Sequence, residues 1–119
     1  MPLSLRIVTA AVALAVAAWA GVAAARNRPP TRGTLLGTAA IFLCACALVG
    51  SAIVSITDGK RAPSMATFVG YLVAFLVIPA AGWALARLEP TRWGSVIIAA
   101  TGIVEAILVV RLDQVWTGI

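Results

Sequence analysis

The chain has 119 residues, 62% of them hydrophobic and only 11% charged, with a mean hydropathy of +1.06. A soluble domain of this length averages about 45 to 50% apolar and 25% charged residues, so lipid is the simplest solvent for the long uncharged runs. The formal net charge of +5 does not point to nucleic acid, because the arginines flank apolar runs and build no continuous basic helix or aromatic-interleaved patch.

The first apolar run extends from Ile7 to Ala25 and is closed by Arg26-Asn27-Arg28-Pro29-Pro30-Thr31-Arg32. At about 1.5 Å per residue it covers about 28 Å, close to a hydrocarbon core of about 30 Å. A cleavable leader ending at Ala23-Ala24-Ala25 is the competing reading, and it would leave three spans. The apolar stretch is longer than an ordinary leader core, and only Arg6 precedes it.

The second run, 34–56, is rich in Ala, Gly and Ser and ends at the polar turn Thr57-Asp58-Gly59-Lys60-Arg61-Ala62-Pro63. Within it lie Cys44 and Cys46, the only cysteines. Two positions apart on a helix, they point to nearly opposite faces and make neither a disulfide with each other nor a Cys-x-x-Cys pair. With no histidine in the chain, no metal site of the His/Cys type and no Cys-His nucleophile is expected.

The third run, 65–86, contains Pro79, which a membrane helix tolerates when its neighbours re-satisfy the freed carbonyl. The fourth, 93–110, follows Arg87-Leu88-Glu89-Pro90-Thr91-Arg92 and ends at Arg111-Leu112-Asp113. The expected fold is all-α: one transmembrane domain over 1–119, a four-helix bundle whose short loops make consecutive helices antiparallel neighbours. If loops one and three share a side, Trp19, Trp83 and Trp93 form one interfacial belt, with Tyr71 and Trp116 toward the other. Three arginines follow the first helix and one precedes it, which favours both termini outside and loops one and three cytoplasmic.

Glu105 is the residue to single out, since it falls inside the hydrocarbon region of the fourth span. A charged side chain there costs about 2.5 to 3.5 kcal/mol on the insertion scale, so the carboxyl should be neutral and should face protein or water. Reflection through the loops places Tyr71, Ser51 and Thr9 within about a turn of its level, with Thr101 one turn away on its own helix. The expectation is a small intramembrane polar or proton site built from Glu105, Tyr71, Ser51 and Thr101. The alternative is a carboxyl hydrogen-bonded inside its own bundle for structural reasons. No catalytic residue, cofactor or metal ligand is expected, because the remaining carboxylates Asp58, Glu89 and Asp113 lie in loops or at helix ends. Small-xxx-small spacings at Ala17, Gly21 and Ala25, at Gly33 and Gly37, and at Gly102 and Ala106 mark candidate packing seams.

Gly70-Tyr71-Leu72, Pro79, Trp83-Ala84, Arg92-Trp93-Gly94 and Val109-Val110-Arg111-Leu112 with Gln114 and Trp116 carry a likeness, as do Leu5-Arg6-Ile7-Val8 and Asn27-Arg28-Pro29-Pro30. In these the chain resembles a group of small uncharacterised four-span integral membrane proteins of actinobacteria. That resemblance implies a topology and a host, and no activity. In size, span number and an intramembrane Glu the chain is also similar to the small multidrug resistance transporters. Their essential Glu lies in the first helix, which here holds no acid. The expected function is therefore an accessory or structural subunit of the plasma membrane, partnered by the lipid bilayer and a larger membrane complex or further copies of itself. The alternative is a small oligomeric transporter that uses Glu105; an enzyme is not expected.

Overall fold

A computed structural model describes residues 3–59 and 63–117. It forms four α-helices: α1 Leu3–Ala25, α2 Arg32–Thr57, α3 Met65–Leu88 and α4 Arg92–Thr117. All four are long and apolar enough to cross a membrane. Lys60, Arg61 and Ala62 of the second loop lie outside the described residues.

The helices begin and end where local chemistry satisfies their terminal amides and carbonyls. After Ala25 the chain turns through Asn27 at a φ of 57°, with Asn27 N–H donating to Ala24 O and Arg28 N–H to Ala23 O. This is a left-handed cap closed by an asparagine. α2 opens on a reciprocal capping box, in which Thr34 N–H donates to Thr31 Oγ1 and Thr31 N–H to Thr34 Oγ1. Ser64 caps α3 by accepting from Thr67 N–H, and Thr91 Oγ1 accepts from Trp93 N–H at the start of α4. Gly59, at a φ of 90°, takes the left-handed position after α2.

Two boundaries exceed the apolar runs by a full turn or more. α1 starts at Leu3 instead of Ile7, and α4 continues past Val110 to Thr117. The additions pack on each other: Arg6 forms an ion pair with Asp113 at 2.8 Å, and Leu112 is fully buried. Polar residues at a helix end close the hydrophobic stretch without ending the helix.

Helices of 23 to 26 residues are about 35 to 39 Å long, in a molecule of 48 × 23 × 21 Å. They stand at the corners of a rhombus, with α2 and α4 across the short diagonal and α1 and α3 out of contact. The most extensive contact joins α1 to α4, first helix to last. Its basis is side-chain size: a Cβ on Gly102 would strike the Ala13 carbonyl and the Ala17 methyl. Between lipid-embedded helices, where no hydrophobic force drives association, such close approach supplies dispersion contacts directly. On the α1–α2 seam Gly33 lies under the Trp19 ring and Gly37 under Val16, and on the α3–α4 seam Gly82 lies under Thr101.

One end of the bundle carries loops one and three, where Trp19, Trp83 and Trp93 are exposed. Arg87 lies over the Trp83 ring at 4.5 Å and Arg92 over the Trp93 ring at 5.0 Å. At the opposite end Arg111 stands 5.8 Å above the Tyr71 ring. Trp116 departs from the belt pattern: it is half-buried against Phe68, with ring centroids 4.9 Å apart. The extension of α4 turns it onto the core.

Candidate functional site

The core divides into two apolar clusters along the bundle axis. Toward loops one and three lie Ala13, Val16, Ala20, Ile41, Ala86 and Ile98. Toward the other end, Leu48, Phe68, Leu72, Phe75, Leu108 and Leu112 pack together with smaller residues. Glu105 sits on α4 between the two, fully buried.

Buried hydroxyls in this bundle all reach a carbonyl, the threonines that of a preceding turn and Ser95 that of the first loop. Thr9 donates to Leu5 O at 2.8 Å, Thr38 to Thr34 O at 3.1 Å, Thr101 to Ile97 O at 2.8 Å and Ser95 to Arg28 O at 2.9 Å. Back-bonding to the preceding turn is the usual outlet for a hydroxyl inside a membrane helix. Glu105 is the exception, because among the described residues neither carboxyl oxygen has a hydrogen-bond partner. A buried polar group left unpaired costs about 1 to 3 kcal/mol, and a charged one more.

The residues expected around it fall at different depths. Gly82 beneath Thr101 and Tyr71 beneath Arg111 fix the α3–α4 register, which sets Glu105 opposite Val77 and Ile78. Gly102 against Ala13 and Arg6 paired with Asp113 fix α1 against α4, and Gly33 and Gly37 fix α2 against α1. The Ser51 hydroxyl donates to Leu48 O at 2.7 Å. Tyr71 lies about 9 Å nearer the Arg111 end, where its hydroxyl accepts from Arg111 Nη2 at 3.5 Å. Only Thr101 is close, and it is committed to Ile97. The four residues therefore do not form one hydrogen-bonded cluster.

Pro79 adds a second polar feature at nearly the depth of Glu105. It is buried inside α3, and without an amide N–H it leaves the Phe75 carbonyl lacking its helical donor.

Outside the bundle lie two shallow grooves, one on the α3–α4 seam and one on α3. One, of about 340 Å³, is floored by Ala81, Gly82, Ala100 and Thr101 and walled by Ile78, Leu85, Ile97 and Val104. The other, of about 260 Å³, is lined by Thr67, Gly70, Tyr71 and Ala74 on α3. Among the described residues no group of three His, Cys, Asp or Glu side chains is placed to hold a metal ion.

Sequence reasoning passed over Ser95, whose hydroxyl ties the first loop to α4, and the small cavity of about 110 Å³ that Trp19, Arg26 and Arg28 line beside that loop. A signal for the second was present: Trp19 and Arg26 are seven residues apart, and therefore on one helix face. Comparison with family models, with curated proteins and with solved structures gives no match.

Proposed function

We propose that this small membrane protein is an accessory or structural subunit of the plasma membrane, without catalytic chemistry of its own, that associates with a larger membrane partner through the outer face of α3 and α4. The observation that carries the reading is the distribution of glycines. Gly33, Gly37, Gly82, Gly94 and Gly102 each lie under a neighbouring group, whereas Gly50 and Gly70 are exposed mid-helix with nothing within 4 Å of where a Cβ would stand. A helix-interior glycine costs about 1 kcal/mol relative to alanine, and lipid returns none of it. Gly70 lines the groove on α3, where small residues would admit another transmembrane helix at close range.

The test is the composition of the complex extracted in mild detergent and identified by mass spectrometry, for the native chain and for Gly70→Leu. A stoichiometric larger partner that is lost in Gly70→Leu, with thermal stability kept, is the expected result. A monomer in both preparations overturns the proposal.

A second reading, an oligomeric transporter that exchanges a proton or cation at Glu105, is favoured by the absence of any bundle partner for that carboxyl. A homodimer as the sole complex, with solute movement abolished by Glu105→Gln, would decide for it.

A further inference from the structure

The end of the bundle that carries loops one and three holds five arginines, Arg26, Arg28, Arg32, Arg87 and Arg92, and one carboxylate, Glu89. Glu89 accepts a hydrogen bond from Thr91 Oγ1 at 2.8 Å. Two of the guanidinium groups are engaged by aromatic rings, Arg87 by Trp83 and Arg92 by Trp93. Among the described residues those of Arg26 and Arg28 have no acceptor, yet both line one cavity with Trp19, Val22, Ala23, Thr31 and Thr34. Two like charges facing one cavity without a counter-ion repel each other, and an anion between them removes that cost.

The loop that presents these arginines is fixed on three sides. The left-handed turn at Asn27 closes α1, Ser95 Oγ donates to the Arg28 carbonyl, and the Thr31–Thr34 capping box starts α2. Pro30 is also wedged against Gly94 at the start of α4. A volume of about 110 Å³ is several times what a single water needs and too small for an acyl chain. Trp19 beside it is half-exposed, as an interfacial tryptophan is. Guanidinium groups bind phosphate oxygens in a bidentate fashion, and two of them match a group that presents several such oxygens.

We infer that the cavity between the end of α1 and the start of α2 is a binding site for a phosphodiester anion, the headgroup phosphate of an anionic phospholipid, held by Arg26 and Arg28 with Trp19 against the glycerol region. The same chemistry would accept free phosphate, so the test separates the two sources.

The full chain is placed in nanodiscs of phosphatidylcholine containing one fifth phosphatidylglycerol, and phosphatidylglycerol retained after detergent extraction is counted by native mass spectrometry. Three proteins are compared: the native chain, Arg26→Gln with Arg28→Gln, and Arg87→Gln with Arg92→Gln. The second and third lose the same charge from the same end. All four side chains are exposed, so the variants should fold, and a thermal melt verifies it. The expected result is retention lowered about tenfold in the Arg26/Arg28 variant and less than about twofold in the Arg87/Arg92 variant. A fourth protein, Arg26→Lys with Arg28→Lys, should retain part of the bound lipid, because it keeps the charge and loses the bidentate geometry. Equal loss in both glutamine variants would mean diffuse attraction of anionic lipid and would overturn the site. No loss in either would do the same. Displacement of the bound lipid by millimolar inorganic phosphate would assign the cavity to a free anion and overturn the lipid half of the inference.

Discussion

At the scale of single residues, the contrast that matters is between hydroxyls and one acid. Threonine and serine reach a carbonyl of their own helix with one rotation, so Thr9, Thr38 and Thr101 can be buried without neighbours to receive them. Glutamate is longer, cannot fold back onto its own turn as easily, and needs a partner from another helix. Glu105 has none, and this sets the direction of three substitutions. Replacing an unpaired buried polar group by an apolar one of similar size removes its desolvation cost, so Glu105→Leu should raise thermal stability in detergent by about 1 to 3 kcal/mol. Glu105→Gln retains polarity and shape and should change stability by less than about 0.5 kcal/mol. Glu105→Ala should destabilise through the cavity it leaves, not through a lost hydrogen bond. Thermal denaturation of the three variants in one detergent checks the order. A Glu105→Leu protein markedly less stable than the native chain would show that the carboxyl does have a partner. A more stable Glu105→Leu protein that has lost partner binding or transport would show that the acid is kept for function against stability.

Helix pairs are governed by residue size at the seams, and the α1–α4 contact makes the sharpest case. Gly102 has no room for a side chain, since a Cβ there meets a backbone carbonyl, which cannot rotate away. Gly102→Leu should therefore separate α1 from α4 and destabilise by about 3 kcal/mol or more, the upper end of overpacking costs. Gly50→Leu, with open space around it, should stay within about 0.5 kcal/mol. Chemical denaturation of the two variants in mixed micelles distinguishes the sites, and equal losses would contradict the packing. The same seams explain how far the sequence could be read. Helix number and loop positions were legible because prolines, glycines and charges punctuate four apolar runs of spanning length. Seam residues were legible in part: Ala17, Gly33, Gly37 and Gly102 lie in helix contacts, while Gly21 has nothing near it. The stagger of one helix on the next was not legible. Reflection about a loop midpoint assumes that two helices end level, but α1 runs six residues past Trp19 while α2 begins one residue before Gly33, which Trp19 covers. Only side-chain fit determines that offset. The caps were legible and overlooked, with Asn27 and the pair Thr31 and Thr34 standing at fixed offsets from Pro29 and Pro30.

For the whole molecule, the remaining question is how the four spans sit across a bilayer, and the charge at the two ends bears on it. Loops one and three gather five arginines and three exposed tryptophans at one end, and the other end carries the Arg6–Asp113 pair and Arg111 over Tyr71. Helices of about 35 to 39 Å exceed a hydrocarbon core of about 30 Å, so their ends reach the headgroup region, where arginine and tryptophan both lower the free energy. Thr31, Asp58 and Thr91 are all exposed at helix ends and suit labelling. In a background with Cys44 and Cys46 replaced, single cysteines at Thr31 and Thr91 should react with a membrane-impermeant thiol reagent from one side, and a cysteine at Asp58 from the other. The three arginines that follow the first helix, against one before it, favour the cytoplasmic face for Thr31 and Thr91, because the charge bias about the first span usually sets orientation. Intact cells should then protect those two positions and label Asp58, and inverted vesicles should reverse the pattern. Reaction of Thr31 and Thr91 from opposite sides would break the four-span arrangement itself. Reaction of all three from both sides would mean that copies insert in both orientations, in which case an antiparallel pair would set Arg26 and Arg28 of its two chains in opposite leaflets, each facing its own layer of headgroup phosphates.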